Sequence, residues 1–172
     1  MIIGITGYAG VGKDTLADLL KPYKFHKRSF ADKVREAYYE VAPDSHREAI
    51  QMYGWDLAKR GNIHIRIGLQ GVGAMCRKVF GKTFWIDQAM PTADELLDLN
   101  IVYADVRYPN EAEAIWDKGG YVIRLKRDAI QPVNGHESEI LLDTIEADLV
   151  IENKTPEEEL DILLKFVNIN KH

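Results

Sequence analysis

Residues 7–15, Gly7-Tyr8-Ala9-Gly10-Val11-Gly12-Lys13-Asp14-Thr15, decide the reading of this chain. Spaced glycines followed by a lysine have the pattern of a Walker A phosphate loop. The flanks supply the context that pattern requires. An apolar run, Ile2-Ile3-Gly4-Ile5-Thr6, leads in, and Leu16, Leu19 and Leu20 restore helical spacing beyond it. In such a loop the glycines let backbone N–H groups turn inward around phosphate oxygens, the start of the helix adds partial positive charge, and Lys13 supplies a point cation for the β- and γ-phosphates. Gly10, Val11, Gly12, Lys13, Asp14 and Thr15 are therefore expected to line a triphosphate tail. One position departs from the pattern. The residue after the lysine should be Ser or Thr, whose hydroxyl touches Mg²⁺, but Asp14 stands there and the hydroxyl comes one later, at Thr15. One helical residue swings a side chain by about 100°, so Thr15 does not inherit the geometry. The expectation is a metal held partly through water, with Asp14 or Thr15 behind it.

Outward from the loop, short apolar strands alternate with helices. A second strand is expected over residues 23–30, a helix over 31–41, helical spacing from 45 to 80 with a break at Gly61-Asn62, and mostly helix over 86–99. A continuous apolar strand, 101–105, ends in Asp105. A helix from near Asn110 runs to the Gly119-Gly120 stop, and the remaining strands fall at 121–125 and 149–151, with a closing helix over 156–167. This alternation predicts an α/β chain with a mostly parallel, five-stranded sheet covered on both faces. At 172 residues the chain has the size of one domain, with residues 31–99 as a helical insertion and 126–140 as a lid-like loop.

Composition removes several classes. Lys and Arg number 22 against 27 Asp and Glu, a net charge of -5, which argues against the basic face of a nucleic-acid binder and against an end kinase working in a basic groove. It leaves room for a phosphorylated small molecule held by a few focused cations. Cys76 is the only cysteine, so neither an internal disulfide nor a multi-thiolate zinc site is possible. The opening residues lack a secretion-signal pattern, and no apolar run reaches the ~18 residues of a membrane span. The expectation is a soluble cytoplasmic protein, monomeric or homodimeric.

Further constellations carry the chemistry. Asp105 at the end of its strand resembles a Walker B carboxylate that would orient metal waters, although a strand-end Asp also serves as a turn or cap residue. Arg107 follows it; a guanidinium suits an acceptor or transferred phosphate, and the competing reading is a surface ion pair with Glu111. Arg66, Gln70, Gly73 and Arg77 fall on one helical face able to hold a monophosphate and a base edge, or else pair with surface carboxylates. Trp85 is either a stacking platform or core. Lys33 and Arg35 are candidate phosphate ligands on what could equally be a solvated face. Arg124 and Arg127 flank the end of a strand, and Arg127, beyond it, is the better candidate for donor phosphates supplied from a closing lid. His136 in the following loop is not needed as a base, since a monophosphate with a second pKa of about 6 is already ionised. Asn153 stands in the last loop as either a donor-base contact or a turn residue.

The hydroxyl one residue late resembles the loop of nucleoside monophosphate kinases. The ending Gly-Lys-Asp-Thr is similar to that of bacteriophage-type deoxynucleoside monophosphate kinases and the related phosphomevalonate kinases of animals. Asp105, Arg107, Asn110 and Glu111 match the phage-type Asp-x-Arg-x-x-Asn-Glu element. Ser29-Phe30-Ala31-Asp32, Leu69-Gln70 with Phe84-Trp85, His136-Glu137-Ser138-Glu139, and Ala147 to Asn153 resemble further blocks of that family. The resemblance implies a three-layer P-loop kinase fold with a helical acceptor-binding insertion, ATP and Mg²⁺, and in-line phosphoryl transfer to a deoxynucleoside monophosphate in the cytoplasm, the host's if phage-encoded. It implies Lys13, Asp105, Arg107 and Arg127 at the reacting groups, Asp14, Thr15 and Asp105 near the metal, Asn153 at the donor base, and Lys33, Arg35, Arg66, Gln70, Arg77 and Trp85 at the acceptor. A kinase for another phosphorylated acceptor such as phosphomevalonate, or a P-loop nucleotide-binding module or NTPase, remain the alternatives.

Overall fold

The computed structural model describes residues 1–130 and 141–169. In chain order the elements are β1 (Ile2–Thr6), α1 (Lys13–Leu19), a 3-10 turn (Lys21–Tyr23), β2 (Phe25–Arg28), α2 (Ala31–Val41), α3 (Asp44–Gly61), α4 (Ile63–Phe80), α5 (Phe84–Ala89), α6 (Ala93–Asp98), β3 (Asn100–Val106), α7 (Pro109–Asp117), β4 (Tyr121–Lys126), β5 (Leu149–Glu152) and α8 (Pro156–Ile169). They form two compact units: residues 1–29 with the chain from Met90 onward, and Phe30–Ala89.

The first unit is built on a five-stranded sheet of order β2-β3-β1-β4-β5 in which every pairing is parallel. Every residue of β1 is buried, as a central parallel strand requires. Its side chains alternate between two layers. Ile3 and Ile5 join Val102, Ile123, Leu125 and Ile151 under Leu16 of α1 and Leu163 of α8. On the opposite face Gly4 lies so close to Ile115 of α7 that a Cβ there would sit 2.5 Å from its Cδ1. Helices therefore cover both faces, the three-layer α/β arrangement expected from the sequence. Each fully buried Ile or Leu of this core contributes about 1.5–3 kcal/mol. Strand order reverses at β1, whose neighbours β3 and β4 lead away in opposite directions, and the crevice beyond its carboxyl end is where such sheets bind ligands.

Two boundaries differ from the sequence reading. The second strand is shorter, because Pro22 closes a 3-10 turn that Lys24 ends at φ 64, so only Phe25–Arg28 pair with β3. Its cations are neutralised locally: Lys27 bridges Asp14 and Asp18, and Arg28 bridges Glu95 at 2.6 Å. Residues 86–99 are not one helix. Pro91 interrupts them, and Thr92 starts α6 through a capping box with Glu95.

The second unit packs α2, α3, α4 and α5 around Tyr38, Ala42, Ile50, Ala58 and Ile65. Asn62 caps α4 by accepting from His64 N, which is the break the sequence marks at this point. This unit ends at Ala89; the inserted stretch read from the sequence runs ten residues further, to 99.

Candidate active site at the carboxyl end of the sheet

The loop between β1 and α1 is shaped by glycines at conformations closed to other residues. Gly7, Gly10 and Gly12 have φ of 137, 83 and 107. At Gly7 the requirement is also spatial, since a Cβ would fall 2.5 Å from the Leu125 carbonyl oxygen. Lys13, only 8% exposed, curls back over the loop and donates from Nζ to Gly7 O at 2.6 Å and Tyr8 O at 2.8 Å. An ammonium held on neutral carbonyls, beside glycine backbone that presents N–H groups, is a site prepared for an anion. A cleft of about 300 Å³ opens beside it, lined by Gly7, Tyr8, Arg124, Arg127, Asp128 and Asp143.

Asp105 is the last residue but one of β3, the strand adjoining β1, and its Oδ2 accepts from Ser29 Oγ at 2.5 Å. Ser29 follows β2 directly, so the ends of two neighbouring strands hold the carboxylate in one orientation. The sequence reading did not assign Ser29 this part; its position right after a strand was the available signal. Asp14 points elsewhere. Its exposed carboxylate pairs with Lys27 Nζ at 2.8 Å, on the side of α1 that faces β2. The expected metal role for Asp14 thus has a competitor that already occupies the side chain. Thr15 is exposed, and its hydroxyl has no hydrogen-bond partner among the described residues. Among those residues no group of three or more His, Cys, Asp or Glu side chains gathers as a metal cluster. One carboxylate at a phosphate loop is nonetheless the protein share that Mg²⁺ commonly takes, with phosphates and water completing its shell.

Arg107 is exposed just beyond β3, and its guanidinium has no partner among the described residues. The surface ion pair with Glu111 is not formed. Glu111, 4% exposed, accepts instead from the backbone N–H groups of Arg107 at 2.7 Å and Tyr108 at 3.1 Å, fastening the start of α7. Arg127, expected to reach the donor phosphates from a lid, is engaged with protein groups in this structure. It follows β4 and lines the cleft beside the loop, with Nε donating to Val11 O at 2.9 Å and Nη2 to Glu159 Oε1 at 2.6 Å. Glu159 lies among the acidic residues that open α8, and nothing in that run distinguishes it in the sequence. Asn153 is a turn residue. It has φ 53, and its side chain is engaged with Asp128, accepting from the backbone N–H and donating to the carboxylate. His136, Ser138 and Glu139, and most of the lid-like stretch, lie outside the described residues.

In the helical unit, Lys33 pairs with Glu36 and Arg35 with Asp32, each three residues away on α2. Arg66 and Gln70 are exposed on α4, and Arg77 is half-buried there. Trp85 is core, 4% exposed, with Nε1 donating to Gly73 O at 3.0 Å. Residues 57–86 contain Lys59, Arg60, Arg66, Arg77, Lys78 and Lys82 and no Asp or Glu, in a chain whose net charge is -5.

A glycine cradle with its lysine after the central strand of a 2-3-1-4-5 parallel sheet, and a carboxylate near the end of the adjacent strand, define the class: a phosphotransferase of the P-loop type. Comparison with known proteins gives the particular family. The chain is 30% identical, over an alignment of 185 positions covering 92% of it and 91% of the relative, to the "Putative deoxynucleotide monophosphate kinase" of Acanthamoeba polyphaga mimivirus. It belongs to that deoxynucleotide monophosphate kinase family. No protein-family model matches the chain. Similar solved structures include shikimate kinase from Aquifex aeolicus (15% identity, all of both chains, TM-score 0.47) and from Acinetobacter baumannii (14%, 99% and 94% of the two chains, 0.49). APS kinase CysC of Mycobacterium tuberculosis is similar at 13% identity over 97% and 96% of the chains, with TM-score 0.42. Among the described residues no helix is long and apolar enough to cross a membrane.

Proposed function

We propose that the protein transfers the γ-phosphoryl group of ATP to the phosphate of a deoxynucleoside monophosphate. The observation that carries this reading is the acid-free, six-cation run over residues 57–86 of the second unit, in which Lys59 pairs with Asp56 just before it, in an otherwise acidic chain. A nucleotide switch or simple NTPase needs the loop alone. A second concentration of cations suits a second anionic substrate, and the mimivirus relative's name supplies its class.

In this reading the triphosphate lies along the amides of residues 10–15, and Lys13 exchanges its hold on the Gly7 and Tyr8 carbonyls for the β- and γ-phosphates. Asp105, oriented by Ser29, would hold Mg²⁺ through water, with Thr15 as the hydroxyl that the loop sequence offers. Mg²⁺ held there would supply charge neutralisation for the transferring group. Arg107, whose guanidinium is uncommitted among the described residues, takes the acceptor or transferring phosphate. Arg66, Gln70 and Arg77 bind the acceptor, with Lys33 and Arg35 leaving their surface carboxylates to join them at small cost, since exposed pairs are worth only about 0–1 kcal/mol. No general base is required; the chemistry is positioning and charge neutralisation.

The test is an acceptor panel read by ADP release: the four deoxynucleoside monophosphates, their ribose counterparts and phosphomevalonate. Release stimulated by deoxynucleoside monophosphates supports the reading. Stimulation by phosphomevalonate alone, or release that ignores every acceptor, overturns it.

A further inference from the structure

The phosphate loop is braced by a chain of contacts that ends at a buried carboxylate. The Arg127 guanidinium donates in three directions: Nε to Val11 O at 2.9 Å, Nη1 to Lys154 O at 2.5 Å, and Nη2 to Glu159 Oε1 at 2.6 Å. Glu159 is 1% exposed, and its Oε2 is buried with no hydrogen-bond partner among the described residues. Burial pushes its carboxyl above the usual carboxylate range while Arg127 pulls the other way. A buried carboxylate with one orphaned oxygen is costly to keep for packing alone, because an apolar side chain of that volume would fill the site without the desolvation penalty.

Peptide geometry shows what the carboxylate secures. In a trans peptide the C=O and N–H point in opposite directions, and every described peptide bond here is trans. Holding Val11 O on Arg127 therefore turns Gly12 N–H the opposite way, away from that guanidinium. Among the described residues that N–H has no protein partner. Val11 O fixes one face of a peptide whose other face is free to donate.

We propose that Glu159 is a positioning residue for the phosphate loop: it sets the Arg127 guanidinium on Val11 O and, through that peptide, aims Gly12 N–H at the donor's phosphates. Arg127 then acts through the loop backbone rather than as a lid ligand of the phosphates. The inference rests on the reading of this loop as the ATP site and adds to it a residue whose side chain touches neither substrate.

The test combines calorimetric titration with a nonhydrolysable ATP analogue and steady-state kinetics on full-length protein whose folding is checked by circular dichroism. Glu159→Leu should weaken analogue binding and raise KM for ATP by about tenfold, with kcat at saturating ATP and KM for the acceptor within about twofold. Glu159→Gln, whose amide oxygen can still accept from Nη2, should recover most of the affinity. Arg127→Met should show the same loss, and Arg127→Met/Glu159→Leu no more than Arg127→Met alone. If Glu159→Leu does not fold, the pair Arg127→Met and Arg127→Met/Glu159→Gln carries the same comparison. Losses that add in the double variant, or ATP affinity unchanged in Glu159→Leu, overturn the inference while leaving the functional reading intact. Wild-type protein that binds no ATP analogue defeats both.

Discussion

Gly7→Ala tests whether the phosphate loop has the shape described. The substitution adds one methyl group at φ 137, where an L side chain is strained, and puts it 2.5 Å from Leu125 O and 3.0 Å from Val11 Cγ1. The backbone strain costs about 1–3 kcal/mol. The 2.5 Å contact is with a carbonyl in β4, which cannot swing aside as a side chain would, and forcing an atom into such a site costs about 1–3 kcal/mol more. A total of about 2–6 kcal/mol is a large part of the ~5–15 kcal/mol that holds a domain folded. For a chain of this length each kcal/mol moves Tm by about 2–4 °C, so the variant should melt ~4–24 °C below wild type. Relief of the clash also moves Gly7 O, one of the two carbonyls that hold Lys13, so affinity for an ATP analogue should fall with Tm. Thermal unfolding by circular dichroism and analogue titration read the two effects. A variant that melts within about 2 °C of wild type and binds the analogue normally would refute this loop geometry.

Other consequences are independent of that one. Asp14→Ala removes only an exposed pair with Lys27, so stability should change by less than about 1 kcal/mol and the Mg²⁺ concentration for half-maximal activity should not move; a large rise would return Asp14 to the metal. Glu111→Ala strands two backbone N–H groups at the start of α7 and should cost about 1–3 kcal/mol in urea unfolding, with Glu111→Gln milder because an acceptor oxygen remains. Equal loss in both variants would count against the cap. Tyr103 is buried, which pushes its hydroxyl up to about 12 against the pull of nearby Arg28. An unfolded tyrosine ionises near 10, so between pH 10 and 12 the folded chain keeps a proton that the unfolded chain has lost. The stability associated with Tyr103 is therefore intact below pH 10 and declines toward pH 12, by about 2–3 kcal/mol at most. Tyr103→Phe should flatten that decline, and an unchanged slope would show that Tyr103 ionises like an exposed tyrosine.

The fold was legible where the signal was local. The apolar run at β1, the glycines and Lys13 after it, and Asp105 at the end of a continuous apolar strand each state their structure within ten residues, and the sheet follows from their alternation with helices. The α3–α4 break at Asn62 was readable for the same reason. Long-range partners were not. Asp14 occupies a motif position, yet Lys27, thirteen residues on, takes its carboxylate because β2 runs beside α1. Arg127 reads as a lid arginine from its place after a strand, and only the arrival of α8, bringing Glu159 from 32 residues away, holds it against the Val11 carbonyl. Glu111 lies in a stretch that resembles catalytic machinery, but it is buried as a helix cap, a role that a shared motif conceals. Trp85 turned inward because Gly73, twelve residues earlier, leaves a carbonyl for its indole N–H.

The central claim is that the Lys13 cradle delivers a terminal phosphoryl group to a second nucleotide, and transfer from ATP labelled at the γ-phosphate tests it most directly. Wild-type protein should place the label on a deoxynucleoside diphosphate, and Lys13→Met, folded to the same Tm, should place none. Label released only as inorganic phosphate, or transferred equally by Lys13→Met, would contradict the account.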